Sequence, residues 1–272
     1  MQPILGVSFM ILAAFGSVSA CAQTDARPQA PAETQASRMR LIPGEEFLPA
    51  AIRAQQADDF DNPAFPYVEA GEAAWSRPEG AAGKSCQDCH GAGDNNSVRH
   101  AAASYPKYLP SVKQVITLQT RINFCRQNAL QASPLPDGSE QMAAMTAYLR
   151  WLSRRLTPAV DVSGPAAATF ERGRELYHMK TGLLQLSCAQ CHELKFGQNF
   201  GAETLSQGHP QSYPVFSVGE RRMISLHERF RMCNQLTRAE AQPVNAPDYV
   251  ALELYLSWRG KDLPITAPGV RP

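Results

Sequence analysis

The sequence predicts a mainly α fold made of two tandem copies of one small domain. Three observations lead there. Apolar residues recur at helical spacing in MTAYLRWLSRRL (145–156) and VALELYLSWRG (250–260), with little alternating strand pattern between them. A set of landmark residues appears twice, at offsets of 102 to 108 positions. The pentapeptide C-x-x-C-H stands once in each copy.

The size and composition agree with this. A chain of 272 residues suits one large domain or two smaller ones. Hydrophobic residues make up 44% and charged residues 19%, which excludes a wholly disordered chain. A formal net charge of +1 gives no reason to expect nucleic acid as a partner. The 21 prolines imply many turns and extended connections.

Taken in order, residues 1–22 read as a signal peptide. Residues 4–20 are apolar and uncharged, long enough for a signal core and short for a membrane span. Ala20 and Ala22 form an A-x-A cleavage site, and Val18-Ser19-Ala20-Cys21 resembles a bacterial lipobox. Cleavage after Ala22 and lipidation of Cys21 both fit. Either route places the chain in the periplasm, an oxidising compartment, with no integral membrane domain after processing. Residues 23–60 form a leader or extension that begins polar and proline-containing. Residues 61–157 and 165–272 are the two domains. The linker, 158–164, lies within LTPAVDVSGP.

Each domain carries its motif early: Cys86-Gln87-Asp88-Cys89-His90 and Cys188-Ala189-Gln190-Cys191-His192. C-x-x-C-H is the pattern of c-type haem attachment. On a helical turn, residues i, i+3 and i+4 share a face. Two sulfurs can then bond the two haem vinyl groups while the imidazole takes an axial position on iron. Two covalently bound haem c groups are therefore expected. A redox C-x-x-C would want a βαβ context, and zinc would want its ligands in neighbouring groups.

The motifs belong to a longer repeat. Gly71 and Gly173 each lie 15 residues before the first motif cysteine, and Trp75 and Tyr177 each follow four later. Tyr105-Pro106 answers Tyr213-Pro214. TLQTRINFCRQ (117–127) lies without gaps over SLHERFRMCNQ (225–235), and TLQTRINFCRQNAL (117–130) and MISLHERFRMCNQL (223–236) read as helices. Tyr148-Leu149-Arg150-Trp151 answers Tyr255-Leu256-Ser257-Trp258. The fold class is thus two tandem cytochrome c-type haem domains, with the C-terminal helix of VALELYLSWRG closed by a glycine cap.

His90 and His192 supply one axial ligand each, and a shared second ligand should recur at matched positions. Met232 is matched by Phe124, Met223 by Val115 and His227 by Gln119. His100, His178, Met179 and His209 have no counterparts. The matched strong ligands are Cys125 and Cys233, which points to His/thiolate ligation in both domains. A disulfide between the two, or inert core thiols, are the alternatives. Arg121 and Arg229 stand four residues before these cysteines, where a helix sets the guanidinium beside the sulfur. Such a cation favours thiolate and can hold an anion. We assign Arg229 a catalytic use and Arg121 a structural one, against surface or haem-propionate roles for both. Arg221, Arg222, Arg231 and Arg238, with Glu220 and Glu228, read as a solvated helix face.

Two C-x-x-C-H domains, each followed by R-x-x-x-C, behind an export signal, resemble the SoxA family, the dihaem subunits of SoxAX cytochromes in bacterial sulfur oxidation. The resemblance runs from about Gly44 to Pro264 and is most specific in RFRMCNQ (229–235). It implies an L-cysteine S-thiosulfotransferase that joins thiosulfate oxidatively to a cysteine of a SoxYZ-like carrier protein. It also implies a heterodimer with a SoxX-like monohaem cytochrome c that takes up electrons. It makes the C-terminal haem the active one, with Cys233 as reacting thiolate found as a persulfide, His192 opposite and Arg229 as the substrate-side cation. The N-terminal haem, with Cys125, is implied to lie far from the chemistry. A pure electron-transfer dihaem cytochrome and a tetrathionate-forming thiosulfate dehydrogenase are the competing readings.

Overall fold

Close helix crossings organise the molecule. The computed structural model describes residues 40–93, 96–201 and 203–272. The expected signal peptide, and the leader up to residue 39, lie outside the described residues. Residues 40–272 form one compact unit. Its helices are α1 (Ala50–Ala57), α2 (Phe65–Ser76), α3 (Cys86–His90), α4 (Asn96–Ala103), α5 (Leu118–Cys125) and α6 (Glu140–Leu152), then α7 (Ala167–His178), α8 (Cys188–His192), α9 (Leu226–Leu236) and α10 (Pro247–Arg259).

In the first repeat α2 packs along α6, and in the second α7 packs along α10. Gly71 and Gly173 sit at these crossings. A Cβ on Gly71 would lie 2.3 Å from the Ala144 carbonyl oxygen, and one on Gly173 would lie 2.0 Å from that of Ala251. Only hydrogen fits there, which is why each repeat keeps a glycine inside a helix despite its poor propensity. Aromatic rings fill the space beside the crossings. Trp75, Tyr148 and Trp151 pack in one repeat, and Tyr177, Tyr255 and Trp258 in the other.

The short helices α3 and α8 start at capping boxes. Ser85 accepts from the Asp88 amide and Asp88 from that of Ser85, and Ser187 and Gln190 do the same. Before each lies a tight loop closed by a β-bridge, Glu79 with Lys84 and Thr181 with Leu186. Gly80 and Gly182 take positive φ there. The loops then dock on the ends of the cysteine-bearing segments. Ala82 N donates to Leu130 O at 3.2 Å, and Leu183 N to Arg238 O at 3.2 Å. This docking brings each C-x-x-C-H against the downstream helix of its own repeat.

Each repeat also has a three-residue hairpin that sequence patterning did not show. One is β1 (Lys107–Leu109) with β2 (Gln114–Ile116), joined antiparallel with Tyr108 opposite Val115. In the second repeat, β3 (Asn199–Phe200) and β4 (Glu203–Thr204) make a small extra hairpin. There β5 (Val215–Ser217) pairs with β6 (Arg222–Ile224), with Phe216 opposite Met223. The hairpins are exchanged. Met223 and Phe216 pack into the core of the first repeat, and Val115 and Tyr108 pack with Val250 and Leu254 of the second. The exchange is reciprocal, as about a pseudo-two-fold axis. Matched residues of both repeats, Leu118 with Leu226 and Thr146 with Glu253, line a small cavity of about 30 Å³ between them.

Three segments depart from the sequence expectation. α9 starts at Leu226 rather than Met223, because Met223 and Ile224 belong to β6. Gly260 ends α10 at φ −96°, outside the left-handed region of a glycine cap. What requires glycine is Gln211, whose Nε2 would lie 2.0 Å from an added Cβ. Finally, the stretch read as extension contains α1, which packs on β7 (Gly269–Arg271). The Gln56 Oε1 atom accepts from Val270 N at 3.0 Å, and β7 runs parallel to β5.

Candidate functional site

In the second repeat, α8 presents Cys188, Cys191 and His192 within one turn and a half. His192 Nδ1 donates to the Ser206 carbonyl at 2.8 Å, which fixes the ring and leaves Nε2 as the ligating lone pair. Gly208 closes on this ring, where a Cβ would lie 2.9 Å from Cγ. From the facing side α9 delivers half-buried Cys233, close enough to Cys188 and Cys191 for their charges to interact. Burial, and then the neighbouring Cys233, push the Cys188 thiol up to about 12.

Arg229 stands one turn before Cys233, as the i, i+4 spacing predicts. Burial pushes the Cys233 thiol up, and Arg229 pulls it down by charge and hydrogen bond. The net direction is upward. Arg229 thus acts in the direction its spacing implies, and desolvation is the larger influence. A coordinating metal ion deprotonates a thiol outright. Burial also opposes the charge on Arg229 itself, but Tyr213, Cys233 and Glu203 more than offset this. Arg229 Nη2 donates to Glu203 Oε2 at 2.6 Å. Arg229, Glu203 and Tyr213 border a cavity of about 150 Å³ that also meets Ser217, Arg271 and Met232, the neighbour of Cys233 on α9. Arg271 is held by Ser212 Oγ at 2.6 Å and Gln56 Oε1 at 3.1 Å.

The first repeat repeats the ligand geometry without this setting. Trp75 lies over His90 at 5.7 Å and donates to the Gly91 carbonyl at 3.0 Å. Burial, and then Cys125, push the Cys86 thiol up to about 11. Cys125 lies near both Cys86 and Cys89. Arg121 lies over the Phe124 ring at 5.3 Å, and among the described residues it forms no ion pair. An ion pair between Arg126 and Glu79 ties the tether loop to the helix end.

No disulfide joins Cys125 to Cys233 among the described residues, since each faces its own C-x-x-C-H. Met223 is spent in the core of the first repeat. His227 is buried, with Nε2 2.9 Å from Glu253 and Nδ1 accepting from Asn245 N. His209 is buried beside Gln207, while His100 lies exposed on α4. Arg222 pairs with Glu228 at 2.6 Å, as a solvated face would. Glu203 and Arg271 escaped sequence reading. No repeated landmark marks them, and their place at the cavity depends on chain segments far from Cys233.

The donor sets fit covalent haem: two thiols and an imidazole on one helical face, with a third sulfur from the downstream helix facing them. Such a pair of sites in tandem helical repeats defines a c-type cytochrome, and the chain carries covalently bound haem c. The family described as SoxA/TsdA, cytochrome c domain, matches residues 70–157. The chain is 40% identical over 228 residues to the L-cysteine S-thiosulfotransferase subunit SoxA of Rhodovulum sulfidophilum, covering 84% of this chain and 79% of that one. It is 37% identical to the SoxA subunit of Pseudaminobacter salicylatoxidans, covering 85% and 80%. Its fold matches a solved structure of SoxXA from P. pantotrophus with a TM-score of 0.81 at 31% identity, covering 85% and 87% of the two chains. The chain belongs to the SoxA family of L-cysteine S-thiosulfotransferase subunits. Among the described residues, no helix is long and apolar enough to cross a membrane.

Proposed function

We propose that this chain is the dihaem subunit of a periplasmic thiosulfotransferase that conjugates thiosulfate to a cysteine of a SoxYZ-like carrier. Cys86 and Cys89 would tether one haem, with His90 and Cys125 as the residues that would hold its iron. Cys188 and Cys191 would tether the other, with His192 and Cys233 in the same roles. Domains 61–157 and 165–272 hold one haem each. The observation that carries the reading is Arg229 beside Cys233 at the edge of an open cavity.

Arg229 binds the thiosulfate dianion by charge-assisted hydrogen bonds and directs its outer sulfur at Cys233. An S–S bond between that sulfur and the Cys233 thiolate releases two electrons. The haem, when bound, takes up electrons one at a time and passes them on, and a SoxX-like monohaem cytochrome receives them as heterodimer partner. The carrier thiolate then attacks the sulfur next to Cys233. The thiosulfonate group moves to the carrier and the Cys233 thiolate leaves. Hydrolysis of the Cys233–S–SO3− adduct instead releases sulfate and leaves a persulfide on Cys233.

The test is turnover with partner cytochrome, carrier and thiosulfate. Charge-assisted bonds of roughly 1.5–3 kcal/mol predict that Arg229→Ala loses about 10- to 100-fold with the haem spectrum retained. Arg229→Lys recovers part, since it keeps charge without the planar fork. Cys233→Ala is more severe. Full activity of Arg229→Ala at low thiosulfate overturns the reading.

A further inference from the structure

We propose that Glu203 is an internal competitor for the substrate anion, which occupies Arg229 until the dianion displaces it. This deepens the reading of Arg229 as the substrate-binding cation and rests on it.

The Glu203 carboxylate already satisfies the guanidinium that the substrate would need. It sits on β4, in a hairpin of only two residue pairs, closed through Gly201 at φ 61°. Phe200 of the hairpin is 53% exposed, while Glu203 is half-buried. By contrast, the second arginine of the cavity is anchored. Arg271 is committed to Ser212, Gln56 and its own Val270 carbonyl. One cation is therefore fixed, and the other is held by a carboxylate on a short hairpin arm. A dianion entering with Glu203 in place would meet a like charge at contact distance, which is destabilising. Binding requires the Glu203 side chain to leave the guanidinium. The arm then acts as a filter. A weakly binding monoanion does not offset the loss of the ion pair, whereas a dianion reaching both arginines does.

The experiment is steady-state turnover of Glu203→Gln in complex with the partner cytochrome, with carrier and thiosulfate. Inorganic sulfate serves as a competing dianion and chloride as a monoanion. The KM for thiosulfate should fall about 3- to 5-fold with kcat unchanged, the size expected of a partly exposed ion pair. Sulfate and chloride should both inhibit at lower concentration, with the larger gain for chloride. Glu203→Asp, with a shorter reach, should fall between. Glu220→Gln, on the same rim without a hydrogen bond to Arg229, is the charge control. An equal fall in KM for Glu220→Gln would reduce the effect to long-range charge and overturn the proposal. An unchanged KM in Glu203→Gln, with Arg229→Ala impaired, overturns it while leaving the role of Arg229 standing. Wild-type activity of Arg229→Ala removes that role and this proposal with it.

Discussion

Val115 and Met223 occupy matched positions in the two repeats, and each is buried in the other repeat's core. The second half of the chain thus contributes to the packing around the first haem motif, and the first half to the helices behind the second. Met223→Ala should destabilise the protein by about 2–3 kcal/mol, the lower part of the range for a buried Met. Val115→Ala should lose about 1.5 kcal/mol. Both variants should melt in one transition, followed by haem absorbance and by circular dichroism. Two separated transitions would show that the exchanged hairpins do not couple the repeats.

The glycine crossings make a sharper prediction. Gly71→Ala and Gly173→Ala each drive a methyl into a backbone carbonyl, which cannot swing aside like a flexible side chain. Denaturant titration should show a loss of about 1–3 kcal/mol for each, as overpacking gives. Gly83→Ala, with open space around its Cβ but φ 58°, should lose less. Losses at Gly71 and Gly173 no larger than that at Gly83 would mean that the crossings open to admit the methyl and do not select glycine.

Electron paramagnetic resonance of the oxidised protein should show two low-spin thiolate-type signals, one for each matched cysteine. Cys125→Ala should abolish one of them and leave thiosulfate-dependent turnover largely intact, because Arg121 packs on Phe124 rather than bordering the cavity of Arg229. A loss as large as that of Cys233→Ala, in folded protein, would place both centres in the chemistry.

Acid should loosen the first tether loop. Burial raises Glu79, but Arg77 and Arg126 outweigh it and hold the carboxyl below its ordinary 4.5. Its folded pKa is depressed, so its stabilising share is present above the unfolded value and fades as pH falls through the folded one. Stability measured between pH 6 and pH 3 should decline more steeply for wild type than for Glu79→Gln, in the stretch below about 4.5. Parallel curves would show that the ion pair with Arg126 carries no such linkage.

Legibility followed the length scale of each signal. α6 and α10 were readable because a dozen residues of apolar spacing cannot be confused with a strand. The repeat was readable because the residues it keeps meet backbone or haem ligands: Gly71 and Gly173 at crossings, Cys125 and Cys233 opposite the motifs. The hairpins were not, since three residues such as Lys107–Leu109 carry no period. Met223 read as a helical residue because nothing local shows that its partner is Phe216. Glu203 was invisible for a related reason. Its meaning comes from Arg229, 26 positions away, across a loop with no pattern of its own. Helical spacing reports the cation beside Cys233 but not the desolvation around its sulfur.

The clasp between α1 and β7 has a consequence in time. Gln56 and Val270 are 214 positions apart, so their pairing closes one of the longest loops in the molecule. Loop-closure entropy delays such contacts until the elements they join exist. Arg271 reaches Gln56 only as that loop closes, whereas its bond to Ser212 spans 59 positions. Both tether helices can therefore form before the cavity's second arginine gains its Gln56 anchor.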